Sequence, residues 1–163
     1  KVGDRYQGGT VFYILRPGDA GYVAGETHGL IVSTANLVSA WDPAAEPVVT
    51  GARNAALNRG RANTQTIIAK LGADPSAYPS PAAAVATFHR GGGHDDWYLP
   101  TIEDMRMLQR NRDAVGGISN GLYWTSCEHS RYRAWAYDFG DPQFAAPATL
   151  KDESALVRPV RTF

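Results

Sequence analysis

The sequence predicts a single α+β domain, because extended runs occupy both ends of the chain and the helical signals lie between them. Apolar, β-rich runs stand at residues 10–15 and 30–33 and return from residue 122 onward. Helical periods are confined to residues 63–110. With 163 residues, 44% of them apolar, the chain can bury one core and has little room for a second.

The first predicted unit is a β-hairpin. Residues 10–15 form a strand bounded by a Gly-Gly pair before it and a Pro-Gly pair after it. Residues 30–33 repeat the pattern, and the loop at 16–29 joins the two strands. Trp41 follows as a large apolar side chain that we expect in the core.

Three helices are predicted next. Residues 63–71 place isoleucine and leucine on one helical face before a glycine ends the pattern. Ser80, followed by a proline, predicts a second helix over 82–88 with the serine hydroxyl as its cap. Thr101 predicts the cap of a third helix, with Asp104 completing a variant of the capping box.

Short extended runs replace the helical signals in the last third of the chain. They lie at residues 122–125, 134–139 and 156–161, and they predict a second sheet region. Because both ends of the chain are extended, we expect the N- and C-terminal strands to pair.

The balance of acidic and basic side chains limits the classes of partner that we expect the protein to bind. Sixteen basic and sixteen acidic side chains give a formal net charge of zero, so no global field favours nucleic acid or an anionic membrane. No apolar run is long enough to span a bilayer, and the first residues lack a hydrophobic signal core. We therefore expect neither nucleic-acid binding nor membrane insertion.

The residues that could serve catalysis or a metal do not form a convincing motif. Cys127 is the only cysteine, and no base is visibly paired with it, so a small, semi-buried side chain is expected rather than a nucleophile. Glu128 next to His129 does not form a triad with the nearby serines, and no nucleophile elbow occurs. Asp95 and Asp96 are adjacent in an extended piece and would point to opposite sides. We expect no enzyme activity, no cofactor and no metal.

The segment from residue 129 to 144 mixes aromatic, charged and small side chains without a helical or strand period. Tyrosine, arginine and phenylalanine carry binding energy at interfaces, so this mixture indicates a recognition surface; an ordinary exposed turn region is the alternative. Tyr132 and Phe144 would be apolar anchors, and Arg131 and Arg133 a small basic patch. The predicted ligand-binding residues are Cys127, His129, Ser130, Arg131, Tyr132, Arg133, Tyr137, Asp138, Asp141 and Phe144. The expected ligand is a protein or a surface glycan.

A set of short motifs in a fixed order runs through nearly the whole chain. They are DRYQGGTVFY at 4–13, HGLIV at 28–32, NT at 63–64, DWYLPT at 96–101, YWTSCE at 123–128, AW at 134–135 and VRPVR at 157–161. With them the chain resembles the Legionella collagen-like protein C-terminal domain family. The resemblance implies a C-type-lectin-like fold of the formylglycine-generating-enzyme type over residues 1–163, with a variable-looking C-terminal third at about 120–150.

The resemblance implies binding rather than catalysis. The generating enzyme works through cysteines, and this chain has a single one, in the YWTSCE motif. The calcium signature of sugar-binding C-type lectins is absent from the sequence. The collagen-like relative binds glycosaminoglycans and forms a trimer, so a monomer and a trimer both stay open here, and surface display or an extracellular location is expected.

Proteins with this fold and C-terminal pattern also serve as variable proteins of diversity-generating retroelements, in which adenine-directed mutagenesis changes chosen codons. Asparagine codons changed in this way cannot become Trp, Lys, Glu, Gln or Met. The scaffold residues would then include Glu128, Trp135, Gln143, Lys151 and Glu153. The resemblance thus implies a diversified receptor; the alternative is a fixed-sequence adhesin domain that binds glycans or glycosaminoglycans.

Overall fold

A computed structural model of the chain describes residues 1–74, 76, 80–141, 143 and 146–163. It is a mixed α+β domain with two β-sheets and, in the described residues, four short α-helices. The strands are β1 (Arg5–Tyr6), β2 (Gly9–Ile14), β3 (Gly29–Ser33), β4 (Leu37–Ala40), β5 (Leu122–Glu128), β6 (Arg133–Asp138), β7 (Ala148–Leu150), β8 (Ser154–Val157) and β9 (Val160–Thr162). The helices are α1 (Gly60–Leu71), α2 (Ala82–Thr87), α3 (Ile102–Arg110) and α4 (Arg112–Val115), with a 3-10 turn at Gly91–Gly93.

The first sheet has the strand order β1-β2-β3-β9 and is antiparallel throughout. The predicted hairpin is confirmed as β2 and β3. The expected pairing of the chain ends is confirmed only in part, because β9 joins the N-terminal sheet beside β3 and not beside the first strand. The hairpin turns β2 and β3 back on each other, and this leaves the free edge of β3 for the C-terminal strand.

The second sheet has the order β4-β8-β5-β6-β7 and carries the C-terminal third of the chain. Strands β5 and β8 are parallel, with Tyr123 opposite Leu156, and the other pairs are antiparallel. The run predicted at 156–161 is divided by Pro159, since a proline cannot donate to a sheet ladder. The chain therefore leaves the second sheet after β8 and enters the first sheet as β9. Strands β4 and β7 and helix α4 had no clear sequence signal.

The helices follow the predicted order, with corrections at their ends. Helix α1 begins at Gly60, where a Cβ atom would lie 2.3 Å from the Leu99 carbonyl oxygen, so only glycine permits this approach. The Ser80 cap was wrong: Pro81 stays extended and is itself the N-cap of α2, with no side-chain cap bond. The capping box of α3 is confirmed, with Asp104 N–H donating to Thr101 Oγ1 at 3.1 Å.

Large aromatic side chains join the two sheets to the helices. Trp41, predicted for the core, is fully buried, as are Trp97 and Trp124. Phe12 and Tyr123 belong to a cluster beneath α3, in which both sheets take part. None of the helices that the structure describes is both long and apolar enough to cross a membrane.

Candidate functional site

The β5–β6 hairpin presents the predicted recognition residues at its tip, residues 129–132. The tip is closed by backbone bonds from the N–H groups of His129 and Ser130 to the Arg133 carbonyl, at 3.0 and 2.9 Å. The Ser130 hydroxyl also accepts a bond from Arg133 N–H. These bonds define the loop without using the aromatic and basic side chains, which project from it.

Three of the predicted ligand-binding side chains at the tip are large and exposed: Arg131, Tyr132 and Arg133. Tyr132 has 53% of its surface exposed, which is unusual for so large a side chain. The Arg131 guanidinium lies over the Tyr132 ring at 5.6 Å. His129 is also exposed, and its ring packs edge-on against Trp135 at 4.7 Å. With Ser130, the structure thus brings five predicted residues together at one hairpin tip.

The segment 46–50 lies beside the hairpin tip. Arg131 Nε donates to the Pro47 carbonyl at 3.0 Å, and its Nη2 lies 3.6 Å from Glu46. Val48 and Val49 are 43% and 50% exposed. Sequence analysis missed this segment, because residues 42–60 have no sustained period; two adjacent valines in a polar stretch were the available signal.

Leu150 at the end of β7 is a further exposed apolar residue beside the hairpin. The next residue, Lys151, donates its backbone N–H to the Tyr132 carbonyl and its ammonium to the Val48 carbonyl. One lysine therefore holds the hairpin tip, the valine segment and the end of β7 together. We call seven exposed residues of this region the tip patch: Arg53, Arg131 and Arg133 with Val48, Val49, Tyr132 and Leu150. The exposed residues His129 and Glu46 border it.

A buried ion pair lies beneath the tip patch. Lys151 Nζ donates to Glu128 Oε1 at 2.7 Å, and both side chains are fully buried. The same carboxylate accepts the N–H groups of Thr50 and Gly51, at 2.8 and 2.9 Å. Burial opposes ionisation of Glu128, but the bonds from Lys151 and from these backbone groups outweigh it and hold its pKa below the ordinary value.

Two of the predicted ligand-binding residues are buried and do not face solvent. Cys127 is fully buried, its sulfur lies near Asn63 and the Asn54 carbonyl, and burial raises the pKa of its thiol. Tyr137 packs in the core against Phe139. Cys127 lies in β5, which is buried from Tyr123 to Glu128, and Tyr137 follows the buried Ala136 in β6. The irregular sequence pattern did not reveal this burial. Neither side chain is available to a ligand in this conformation.

Asp138 and Asp141 do not join the tip. Asp138 ends β6 opposite Leu122, at the far end of the hairpin, where its carboxylate accepts the N–H groups of Gly140 and Asp141. Asp138 thus shapes the following turn. Phe144 lies outside the described residues.

Asp96, one of the two adjacent aspartates, forms ion pairs with two arginines. Asp96 binds the Arg161 guanidinium at 2.7 and 3.1 Å and Arg61 at 3.1 Å. Burial opposes its ionisation, and the two arginines outweigh that effect, so the pKa of Asp96 lies below its ordinary value. In the part of the chain that the structure describes, no three His, Cys, Asp or Glu side chains converge on a possible metal position.

Comparison with known proteins gives one solved structure to report. No protein-family model and no curated protein matches the chain. A fimbrial protein from Bacteroides ovatus ATCC 8483 is similar in structure, with a TM-score of 0.53 and 15% sequence identity. The match covers 93% of this chain and 43% of that one, so this chain spans less than half of the fimbrial protein's length. At this identity the similarity bears on the β-rich α+β fold alone.

Proposed function

We propose that this domain is a recognition module of the C-type-lectin-like type, the variable protein of a diversity-generating retroelement, and that it binds its ligand through the tip patch. The observation that carries the proposal is the contrast between the buried pair Glu128–Lys151 and the exposed residues of the hairpin tip between them. Glu128 and Lys151, which adenine-directed mutagenesis cannot produce from asparagine codons, are buried and bonded to each other. His129, Arg131 and Tyr132, which it can produce, are exposed between them.

The contacts of the hairpin tip favour such a display role. Backbone bonds close the tip, and the Lys151 ammonium fixes its neighbour, the valine segment. A side chain at 129, 131 or 132 can therefore change while the backbone bonds of the loop remain. A scaffold that is ordered before binding loses less conformational entropy when the ligand docks.

Binding rather than catalysis is proposed because the chemical groups near the tip are committed to the fold. Cys127 is buried beside asparagine side-chain and backbone groups, and Glu128 is neutralised by Lys151. We propose a protein or surface-glycan ligand, and surface or extracellular display of the domain.

A fixed-sequence adhesin domain is the second candidate. The similarity in fold to a fimbrial protein, at 15% sequence identity, favours this candidate. The two candidates share the tip patch and differ in whether its residues vary between individuals.

Deep sequencing of the codons for residues 121–163, across a population of the source organism or its phages, tests the proposal. We expect substitutions at adenine-bearing codons of positions 129–133, with Trp124, Glu128 and Trp135 constant. A uniform sequence at the tip would overturn the retroelement proposal and leave the adhesin domain. A search of the gene's neighbourhood for a template repeat and a reverse transcriptase provides the independent check.

A further inference from the structure

The tip patch combines exposed apolar side chains with arginines. Four of the eight large hydrophobic residues that are exposed in the described chain lie here. They are Val48, Val49, Tyr132 and Leu150. Clustered apolar side chains with a polar rim are typical of interaction sites, whereas single exposed ones are ordinary.

The arginines of the tip patch are poorly neutralised. Arg53 Nε lies 3.7 Å from Glu128, a carboxylate already bonded to Lys151, and Arg131 lies 3.6 Å from Glu46, which is itself largely exposed. Among the described residues Arg133 forms no ion pair, and its Nη1 donates to the Ala148 carbonyl. By contrast, Asp96 has nitrogen–oxygen distances of 2.7 Å to Arg161 and 3.1 Å to Arg61 in its ion pairs. The positive charges of the guanidinium groups at the tip are therefore available to pair with carboxylates of a partner.

A groove next to the patch offers space for an apolar side chain. It has a volume of about 530 Å³ and shares Val48 with the tip patch. Its apolar lining includes Pro43, Ala44 and Leu71, and the charged residues Asp42, Lys70 and Asp74 also line it. Grooves of this size, mainly apolar with a few polar groups, are typical of binding sites.

From these observations we infer that the partner is a protein segment in which carboxylates stand beside apolar side chains. This inference rests on the proposed recognition function and adds the chemistry of the ligand. Arginine binds carboxylates through paired, charge-assisted hydrogen bonds. Contact with apolar side chains of a partner would remove the exposed valines and the leucine from water, which is favourable. A polysaccharide has few apolar groups for such contacts. The neutral chain also lacks the extended positive surface that a sulfated polymer would need.

Selection of random linear peptides on the immobilised full chain tests the inference. We expect enriched peptides to carry Asp or Glu beside aliphatic or aromatic residues. Their affinity should fall roughly tenfold or more in the double variant Arg131→Glu, Arg133→Glu, and should weaken with added salt. The matched control is Arg5→Glu, which reverses an exposed arginine on β1 of the other sheet and should leave affinity unchanged.

The variants separate failure of the inference from failure of the proposed function. The double variant Arg131→Gln, Arg133→Gln removes the two positive charges but keeps side-chain N–H donors. The melting curve of each variant shows whether it is folded. Peptides that lose affinity in Tyr132→Ala but not in the charge-reversed variant would overturn the acidic partner and keep the recognition site. A folded chain that binds neither a selected peptide nor dextran sulfate through Tyr132 or the arginines would contradict both. Tip-dependent binding of dextran sulfate without peptide binding would overturn the inference and favour the adhesin.

Discussion

At the scale of single residues, Tyr132 shows how the hairpin tip separates binding from stability. Its ring is about half exposed, and its structural contribution is its backbone carbonyl, which accepts the Lys151 N–H. Removal of the side chain in Tyr132→Ala should therefore change the free energy of unfolding by less than about 0.5 kcal/mol. The same variant should lose most of the affinity for any tip ligand. Chemical denaturation and a binding assay on one preparation measure both quantities.

Tyr123 is the matched control for Tyr132. It has the same side chain but is fully buried in the core, in contact with Phe139. Tyr123→Ala should cost about 3–5 kcal/mol. A similar loss of stability in Tyr132→Ala would mean that Tyr132 belongs to the packed structure and not to the binding surface.

The buried pair of Glu128 and Lys151 is the residue-scale feature on which the site depends. The lysine ammonium lies 4.6 Å from the centre of the Trp41 ring and bonds to the Val48 carbonyl, 103 residues away in sequence. Lys151→Met should lower the free energy of unfolding by about 3–5 kcal/mol, because Glu128 is left buried without its cation. Urea denaturation followed by tryptophan fluorescence gives this value.

The double variant Glu128→Gln, Lys151→Met distinguishes charge from packing. Because it removes both buried charges, it should be more stable than Lys151→Met alone. If the double variant is as unstable as the sum of the two single variants, the ion pair is not the reason for the loss. The single variant Glu128→Gln completes the cycle.

At the scale of elements, the N-terminus of α3 contains a titratable group that responds to pH. Burial raises the pKa of Asp104 to about 6, although the N–H groups of Asn58 and Thr101 bond to its carboxylate. The folded protein thus holds this proton more tightly than the unfolded chain, where the ordinary pKa is 3.8. The contribution of Asp104 to stability is full below that value and is lost as the pH rises through about 6.

Comparison with Asp104→Asn isolates this effect. We expect the free energy of unfolding of the unmodified protein, relative to that of the variant, to decrease between about pH 4 and pH 7. Urea denaturation at a series of pH values measures the difference between the two curves, in which other titrating groups cancel. His89 is one such group, because burial lowers its pKa and makes it act in the opposite direction. A difference that does not vary with pH would contradict the assignment.

At the scale of the whole molecule, the last two strands connect the sheets. Strand β8 belongs to the second sheet and β9 to the first, with a single Arg-Pro step between them. Ser33 N–H donates to the Pro159 carbonyl at 2.9 Å, so the connection is itself bonded to β3. Neither sheet can lose these strands without disturbing the other.

We therefore expect the domain to unfold in one cooperative transition. Val160→Ala, at a fully buried position of β9, should cost about 2 kcal/mol and move the transition without splitting it. Far-ultraviolet circular dichroism and tryptophan fluorescence should give coincident curves, since Trp97 and Trp124 report on different parts of the core. Two separated transitions would show that the sheets fold independently. Val38→Ala, at an exposed position of β4, is the control.

Local sequence determined the elements whose signals are themselves local. The β2–β3 hairpin follows from two apolar runs with turn residues around them, and the start of α3 follows from Thr101 and Asp104 three residues apart. The irregular composition of residues 129–144 indicated a wider segment, and the structure places only residues 129–133 of it at the hairpin tip. Such signals need only a few neighbouring residues.

Only the tertiary structure decided which distant segments meet. It placed Val48 and Val49 beside the tip through Lys151, and it buried Cys127 and Tyr137, which the sequence pattern had assigned to the recognition surface. It also paired β9 with β3. Most of these outcomes depend on contacts between positions about a hundred residues apart in sequence. No local sequence pattern contains the free energies of such contacts, because burial and strand pairing are properties of the assembled core.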